Sequence, residues 1–362
     1  VEYVEVDALV HDADGRFVTG LTREDFEILE DGRPQAIVDF TLIDIPVERY
    51  DRPLYSPVPI EPDVASNERP FDGRVYVLVL DDLHTDVTRS ERVRLAGRQF
   101  IQRNLGANDL MAVVHTGGRA DAAQEFTSSR RLLLDSVDRF VGRKLPSATL
   151  TRNDEYFRQR GMPIQDLRIT DPLELERAHN ARSSLEVLQR VAEWFGGVRG
   201  RRKSILFVSE GIDYDITDAI RGPLTQMSAA MQVMGDIREA VAITARSNVS
   251  IYGIDPRGLT SLADETIGST TFADRDTPPY TGPDDVLTPE TPQRTGAGIG
   301  SASLRNELFL SQGSLRSLAE ETNGFAAINR NDFAAAFDRI VRDNSSYYVL
   351  AYYPPSTRRD GR

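Results

Sequence analysis

Val75-Tyr-Val-Leu-Val-Leu-Asp81-Asp82-Leu83-His84-Thr85 is the stretch whose reading decides the fold. An apolar run without polar alternation reads as a strand buried on both faces, as in the middle of a parallel sheet. The run stops on a pair of carboxylates, which then lie at the strand's carboxyl end, where open α/β sheets place their ligand sites. A second run, Lys203-Ser-Ile-Leu-Phe-Val-Ser209-Glu210-Gly211, has the same form and also ends in a carboxylate. Two such strands side by side would face Asp81 and Glu210 across one crevice.

Around these runs, strands alternate with helical patterns. Residues 87–105 read as a helix, 110–115 as a strand, 132–141 and 172–198 as helices, and 204–208 as a strand. Helix 224–246, strand 249–254, helix 314–323, strand 325–328, helix 332–343 and strand 347–353 complete the series. Alternation of this kind implies βαβ units, a doubly wound, mostly parallel sheet and helices on both faces. The amino-terminal 45 residues read differently, as short strands joined by the tight turns at Asp14-Gly15 and Asp31-Gly32, with a capping box at Thr22-Arg-Glu-Asp25. Residues 46–72 are Pro-rich and polar and read as a linker. Two insertions interrupt the α/β pattern. Residues 146–171 look polar and irregular apart from one turn of helix, and 259–303 look like a long loop rich in Thr, Pro, Gly and Asp.

The chain has 362 residues, 40% hydrophobic and 27% charged, ordinary for a globular protein with ample core. A formal charge of −13 leaves no basic surplus for phosphate backbones and argues against nucleic acid. No run approaches the roughly 18 apolar residues of a spanning helix. The absence of cysteine excludes disulfides, thiol catalysis and thiolate metal sites. The first residue is Val1 rather than Met, so a processed or trimmed chain is expected.

Asp81, Asp82, Thr85, Glu210 and Asp213 are oxygen donors expected near one crevice, and hard cations such as Mg²⁺ take such ligands. The same residues also have a plain reading: Asp81 and Asp82 as helix caps, Glu210 as a solvated turn residue. Spacing leaves the two readings even. His84 reads as a surface loop residue, and His115 ends a strand on the same side. The Arg199-Gly-Arg-Arg-Lys203 cluster reads as the solvated entry to a strand. No Gly-x-Ser-x-Gly elbow and no phosphate-binding loop is present.

At these residues the chain resembles the von Willebrand factor A domain, and more narrowly the "VWFA-related" proteins of acidobacteria. The resemblance spans nearly the whole chain. It rests on Val18-Thr-Gly-Leu-Thr-Arg-Glu-Asp25-Phe26, Val77-Leu-Val-Leu-Asp81, Val249-Ser-Ile-Tyr-Gly-Ile-Asp255-Pro256-Arg257-Gly258, Leu318-Ala-Glu-Glu-Thr-Asn-Gly324 and Ser346-Tyr-Tyr-Val-Leu-Ala-Tyr-Tyr-Pro354. It implies a Rossmann-like domain over 73–345 and a small β-rich domain in which 1–45 packs with 346–362. Because the chain stops at Arg362, that β-rich domain is expected to be incomplete. It also implies an extracytoplasmic location and a metal-ion-dependent adhesion site.

That site uses Asp-x-Ser-x-Ser, a later loop Thr, and an Asp in Thr-Asp-Gly. Mapped here, the metal ligands would be Asp81, Thr85, Thr149 (favoured over Thr151) and Glu210, holding Mg²⁺, Mn²⁺ or Ca²⁺. Leu83 stands where the pattern has a serine, and Glu210 where it has Asp, so the expected site is degenerate, with metal-independence the alternative. Asp82, His84 and Asp213 are the candidate partner-binding residues, and no residue is assigned to catalysis. The expectation is a non-enzymatic protein-binding or adhesion module. The competing reading is a metal-dependent, phosphatase-like hydrolase using the paired aspartates. Aspartyl phosphatases of this layout carry Asp-x-Asp, and position 83 is Leu.

Overall fold

The computed structural model describes residues 4–47, 73–159, 171–198, 201–216, 224–259 and 301–354, and every statement below is of these residues. Residues 48–72 of the expected linker and most of the 259–303 insertion lie outside them, as do 160–170 of the other insertion.

The amino-terminal strands are β1 (Val4–Ala8), β2 (Ile28–Glu30), β3 (Arg33–Gln35) and β4 (Ile37–Asp44). They are followed by β5 (Val75–Leu80), α1 (Ser90–Arg103), β6 (Leu110–His115), β7 (Gln124–Thr127), α2 (Arg130–Asp138), α3 (Ala148–Gln159) and α4 (Glu174–Phe195). Then come β8 (Lys203–Val208), α5 (Leu224–Arg246), β9 (Val249–Ile254), α6 (Ser301–Glu320), β10 (Ala326–Ala327), α7 (Ala334–Asp343) and β11 (Ser346–Tyr352). The fold is mixed α/β. No helix is long and apolar enough to cross a membrane.

Six strands form the main sheet in the order β10-β9-β8-β5-β6-β7, all parallel except β7, which runs antiparallel to β6. β5 is buried at every position, and its two-residue period divides it between two cores. Tyr76, Leu78 and Leu80 join Val93, Phe100 and Ile101 of α1, Val137 of α2 and Phe337 and Ile340 of α7. Val75, Val77 and Val79 join Leu185 and Leu188 of α4, Val233 of α5 and Leu315 of α6 on the other face. The inward residues of α1 recur as Val93, Ala96, Gly97, Phe100 and Ile101, the stripe of an amphipathic helix.

Chain order reverses at β5. The chain leaves β5 for β6 on one side, while β8 on its other side leads away to β9. A crevice therefore opens at the carboxyl ends of β5 and β8, whose last residues Leu80 and Val208 are register partners.

A three-stranded antiparallel sheet, β1-β11-β4, lies at the opposite edge. Tyr347 of β11 accepts a hydrogen bond at its hydroxyl from the Arg202 amide (2.8 Å), and Arg74 donates to Ser345 Oγ (2.9 Å). Both contacts sit at the amino ends of parallel strands. The solvated-entry reading of Arg199–Lys203 is therefore corrected for Arg202 and Lys203. Each is 5% exposed; Arg202 donates to Ser250 Oγ and Lys203 to the Val198 carbonyl, because the second sheet covers them.

Two further expectations change. Residues 148–159 of the "irregular" insertion are a twelve-residue helix, which has almost no apolar stripe and buries only Thr149 and Asn153. The helix expected at 314–323 starts at Ser301; Gly313 interrupts the pattern but faces open space, so it breaks nothing.

Candidate functional site

Asp81 follows β5 and is wholly buried. Its Oδ1 accepts from Thr116 Oγ1 (2.7 Å), Ser184 Oγ (3.0 Å) and the His84 amide (3.3 Å), and its Oδ2 from Ser209 Oγ (2.6 Å). The His84 ring stands against both oxygens, with Nδ1 3.2 and 3.1 Å away. These donors come from the ends of β6 and β8, from α4 and from the loop itself, so the whole upper half of the domain closes on one carboxylate. Ser209 Oγ also accepts from the Gly211 amide (2.8 Å). Gly211 adopts φ +85° with Ser311 O 1.9 Å from where a Cβ would be, so a side chain is barred there.

Asp82, 1% exposed, is held by the Gly117 amide (2.7 Å), Thr116 Oγ1 (3.1 Å) and Arg143 Nε (3.0 Å). Glu210, also buried, accepts from the Asp86 amide (3.0 Å) and Arg89 (3.2 Å) on Oε1 and from Lys144 Nζ (3.3 Å) on Oε2. Lys144 reaches Asp213 as well, at 3.3 Å. Four carboxylates, Asp81, Asp82, Glu210 and Asp213, thus meet four basic side chains of the same chain, His84, Arg143, Lys144 and Arg89.

Burial pushes the Asp81 carboxyl up, but the His84 charge and the hydrogen bonds of His84, Ser209 and Thr116 outweigh it and leave it below the ordinary range. Burial pushes His84 down, while Asp81 and Asp213 pull it up, and the net displacement is upward. Asp213, against burial, is brought to about 2 by Lys144, His84 and Arg177. His115 is shifted down by burial and stacks on Phe140 (centroids 6.0 Å apart), as a core residue does.

The structure brings together Asp81, Asp82, His84, Glu210 and Asp213 in one network, with Thr85 buried beside them. The surface-loop reading of His84 is overturned: the residue is 3% exposed, because Asp81 and Ser184 draw its ring inward. Of the three candidate partner-binding residues, Asp82 and His84 are buried and Asp213 is partly buried, with 9% side-chain exposure. Thr149 is turned elsewhere: its amide (2.5 Å) and hydroxyl (2.6 Å) both donate to Glu307 of α6. Thr151 donates to Asp171 (2.9 Å).

A divalent ion needs several oxygens with unused lone pairs. Both oxygens of Asp81 carry at least two contacts, Glu210 is tied to Asp86, Arg89 and Lys144 with one lone pair of Oε2 left over, Thr149 serves Glu307, and Leu83 offers no oxygen. Of the mapped ligand residues, Thr85 is the one with a buried side-chain oxygen that has no hydrogen-bond partner. Among the described residues no group of three or more His, Asp or Glu is arranged to hold a metal ion. The set does not fit the ion.

Nor does Ser184–His84–Asp81 form a nucleophilic relay. Ser184 and Asp81 compete for the same nitrogen, Nδ1, and the serine is wholly buried.

Above the network lies a hollow of about 370 Å³ lined by Arg89, Lys144 and Arg257, by Asp86, Glu210 and Glu307, and by Leu145, Pro146, Leu150 and Leu308. Sequence reasoning missed Ser184, Lys144, Arg89 and Arg143. They are distant in the chain and carry no motif; only the fold collects them. No protein-family model matches this chain, and no curated protein matches it.

Proposed function

We propose that this protein is a non-enzymatic binding module of the von Willebrand factor A type, which grips a protein partner at the rim of its carboxyl-edge crevice without a bridging metal. The observation that carries this reading is the internal neutralisation of the crevice, where every buried carboxylate has a basic partner from the same chain. A nucleophile must be reachable, and Asp81 is not. The rim has the mixed character of a surface that meets another protein. Cations alternate there with carboxylates, while Val87 (59% exposed), Pro146 and the partly exposed Leu150 and Leu308 add apolar contact. The sequence resemblance adds the expectation of an exported protein.

Panning a displayed random-peptide library against the protein in the presence of a chelator tests the reading. Enriched peptides should lose binding to the double variant Leu150→Glu/Leu308→Glu and keep it towards a substitution on the far sheet, such as Leu42→Glu. Binding indifferent to the rim substitutions would overturn it. So would turnover of a generic phosphoester that survives Asp82→Asn but not Asp81→Asn.

A further inference from the structure

We propose that the solvent face of α5 carries a soft-metal site, in which the thioethers of Met227, Met231 and Met234 bind a monovalent soft cation, Cu(I). The chain has no cysteine, so its five methionines are its only sulfur. Three of the five stand on α5 at i, i+4 and i+7. At 3.6 residues per turn that spacing keeps them within about 60° of one another around the helix. Consecutive members are one turn apart, their Cβ atoms about 5–6 Å from each other. Three flexible, unbranched side chains at that separation can bring their sulfurs to one ion between them.

The methionines do not serve the core. α5 packs inward through Ala230, Val233 and Ala240, each wholly buried. Met231 is 53% exposed and Met227 37%, and Met234 is half-buried. Gly235, one turn on from Met231, meets nothing within 4 Å where a Cβ would be, so the space beside the sulfurs is open. Over 224–238 the stripe reads Leu224, Met227, Met231, Met234, Arg238 and holds no carboxylate. The neighbouring Asp236 is turned to Arg182 of α4, which donates to it at 2.7 Å. A hard divalent ion finds no anionic oxygen on such a stripe, whereas polarisable thioethers select Cu(I). None of these residues belongs to the carboxyl-edge crevice, so the site stands apart from the proposed grip on a protein partner.

Two measurements on the whole chain test this, both without oxygen. In the first, the protein competes for Cu(I) held by the coloured chelator bicinchoninate. Wild type should withdraw one equivalent. The double variant Met227→Leu/Met231→Leu, which keeps side-chain volume and loses two sulfurs, should withdraw none. In the second, protein carrying ¹³C at its methionine methyls is titrated with Ag(I), a redox-stable ion of the same charge and softness. Three of the five methyl signals should move, those of Met227, Met231 and Met234, assigned by the loss of each in a single leucine variant. Mg²⁺ should move none of them. Failure of wild type to withdraw Cu(I), the result expected of a face that docks another protein instead, would overturn the proposal. Withdrawal that survives the double substitution, or shifts confined to the other two methyls, would do the same. If the double variant does not fold, the wild-type methyl spectrum decides: movement of the three signals supports the site, and its absence overturns it.

Discussion

Alanine at position 81 would leave three hydroxyls, a buried amide and a buried imidazole without their common acceptor. Breaking one side of a buried ion pair costs about 3–5 kcal/mol, so Asp81→Ala should lose stability on that scale in urea titrations. The same group of charges sets a pH window. Asp213 is depressed from the ordinary 3.8 to about 2, so its contribution, on the order of 2 kcal/mol, is present above pH 3.8 and fades as pH falls through 2. His84 is displaced upward from 6.5, so its contribution is full below that pH and fades as pH rises through the folded value. Stability followed by urea midpoint should therefore be greatest between those limits. His84→Asn should remove the decline on the alkaline side and keep the one on the acid side. At this scale the sequence was half legible. Asp81 and Glu210 announce themselves because apolar runs end on them; the inward turn of His84 does not, because Ser184 and Lys144 stand 100 and 60 residues away from it along the chain.

Helix α3 shows why an element can form without a pattern of its own. Its sequence is two-thirds polar, and its first turn is pinned by a carboxylate from another helix: Glu307 accepts from Ser147 Oγ (2.6 Å), the Thr149 amide and the Thr149 hydroxyl. A negative charge at a helix amino terminus satisfies free N–H groups and favours the dipole. Glu307→Gln should cost about 1 kcal/mol, and amide exchange across 148–159 should accelerate while that of β5 and β8 stays unchanged. Periodicity cannot find such a helix, since the residue that holds it lies 158 positions from Thr149. It did find α5 and β9 to the residue, because their apolar positions face a core. β7 was missed for the opposite reason, being four residues long at the sheet's edge.

Across the whole molecule, one sheet serves two cores and a second sheet covers its amino edge. The alternation of runs made the first legible. The second depends on β11 pairing with strands more than 300 residues earlier, a partnership no local pattern encodes. Tyr347 joins the two sheets through the Arg202 amide, and Tyr348 ties β11 to the amino-terminal segment, donating to the Val18 carbonyl and accepting from the Leu21 amide. Tyr347→Phe would leave a buried N–H unsatisfied and should lower stability by about 1–3 kcal/mol in urea, without altering peptide binding at the crevice. The pairing of Val4 with Tyr352 has a mechanical side. Traction applied at those two residues would meet β1 and β11 at the same end of their ladder. The rungs would then give way one after another, like a zipper, rather than resist together in shear. The small sheet is a fuse: it yields at low load, and the crevice on the far edge feels none of the tension until it has.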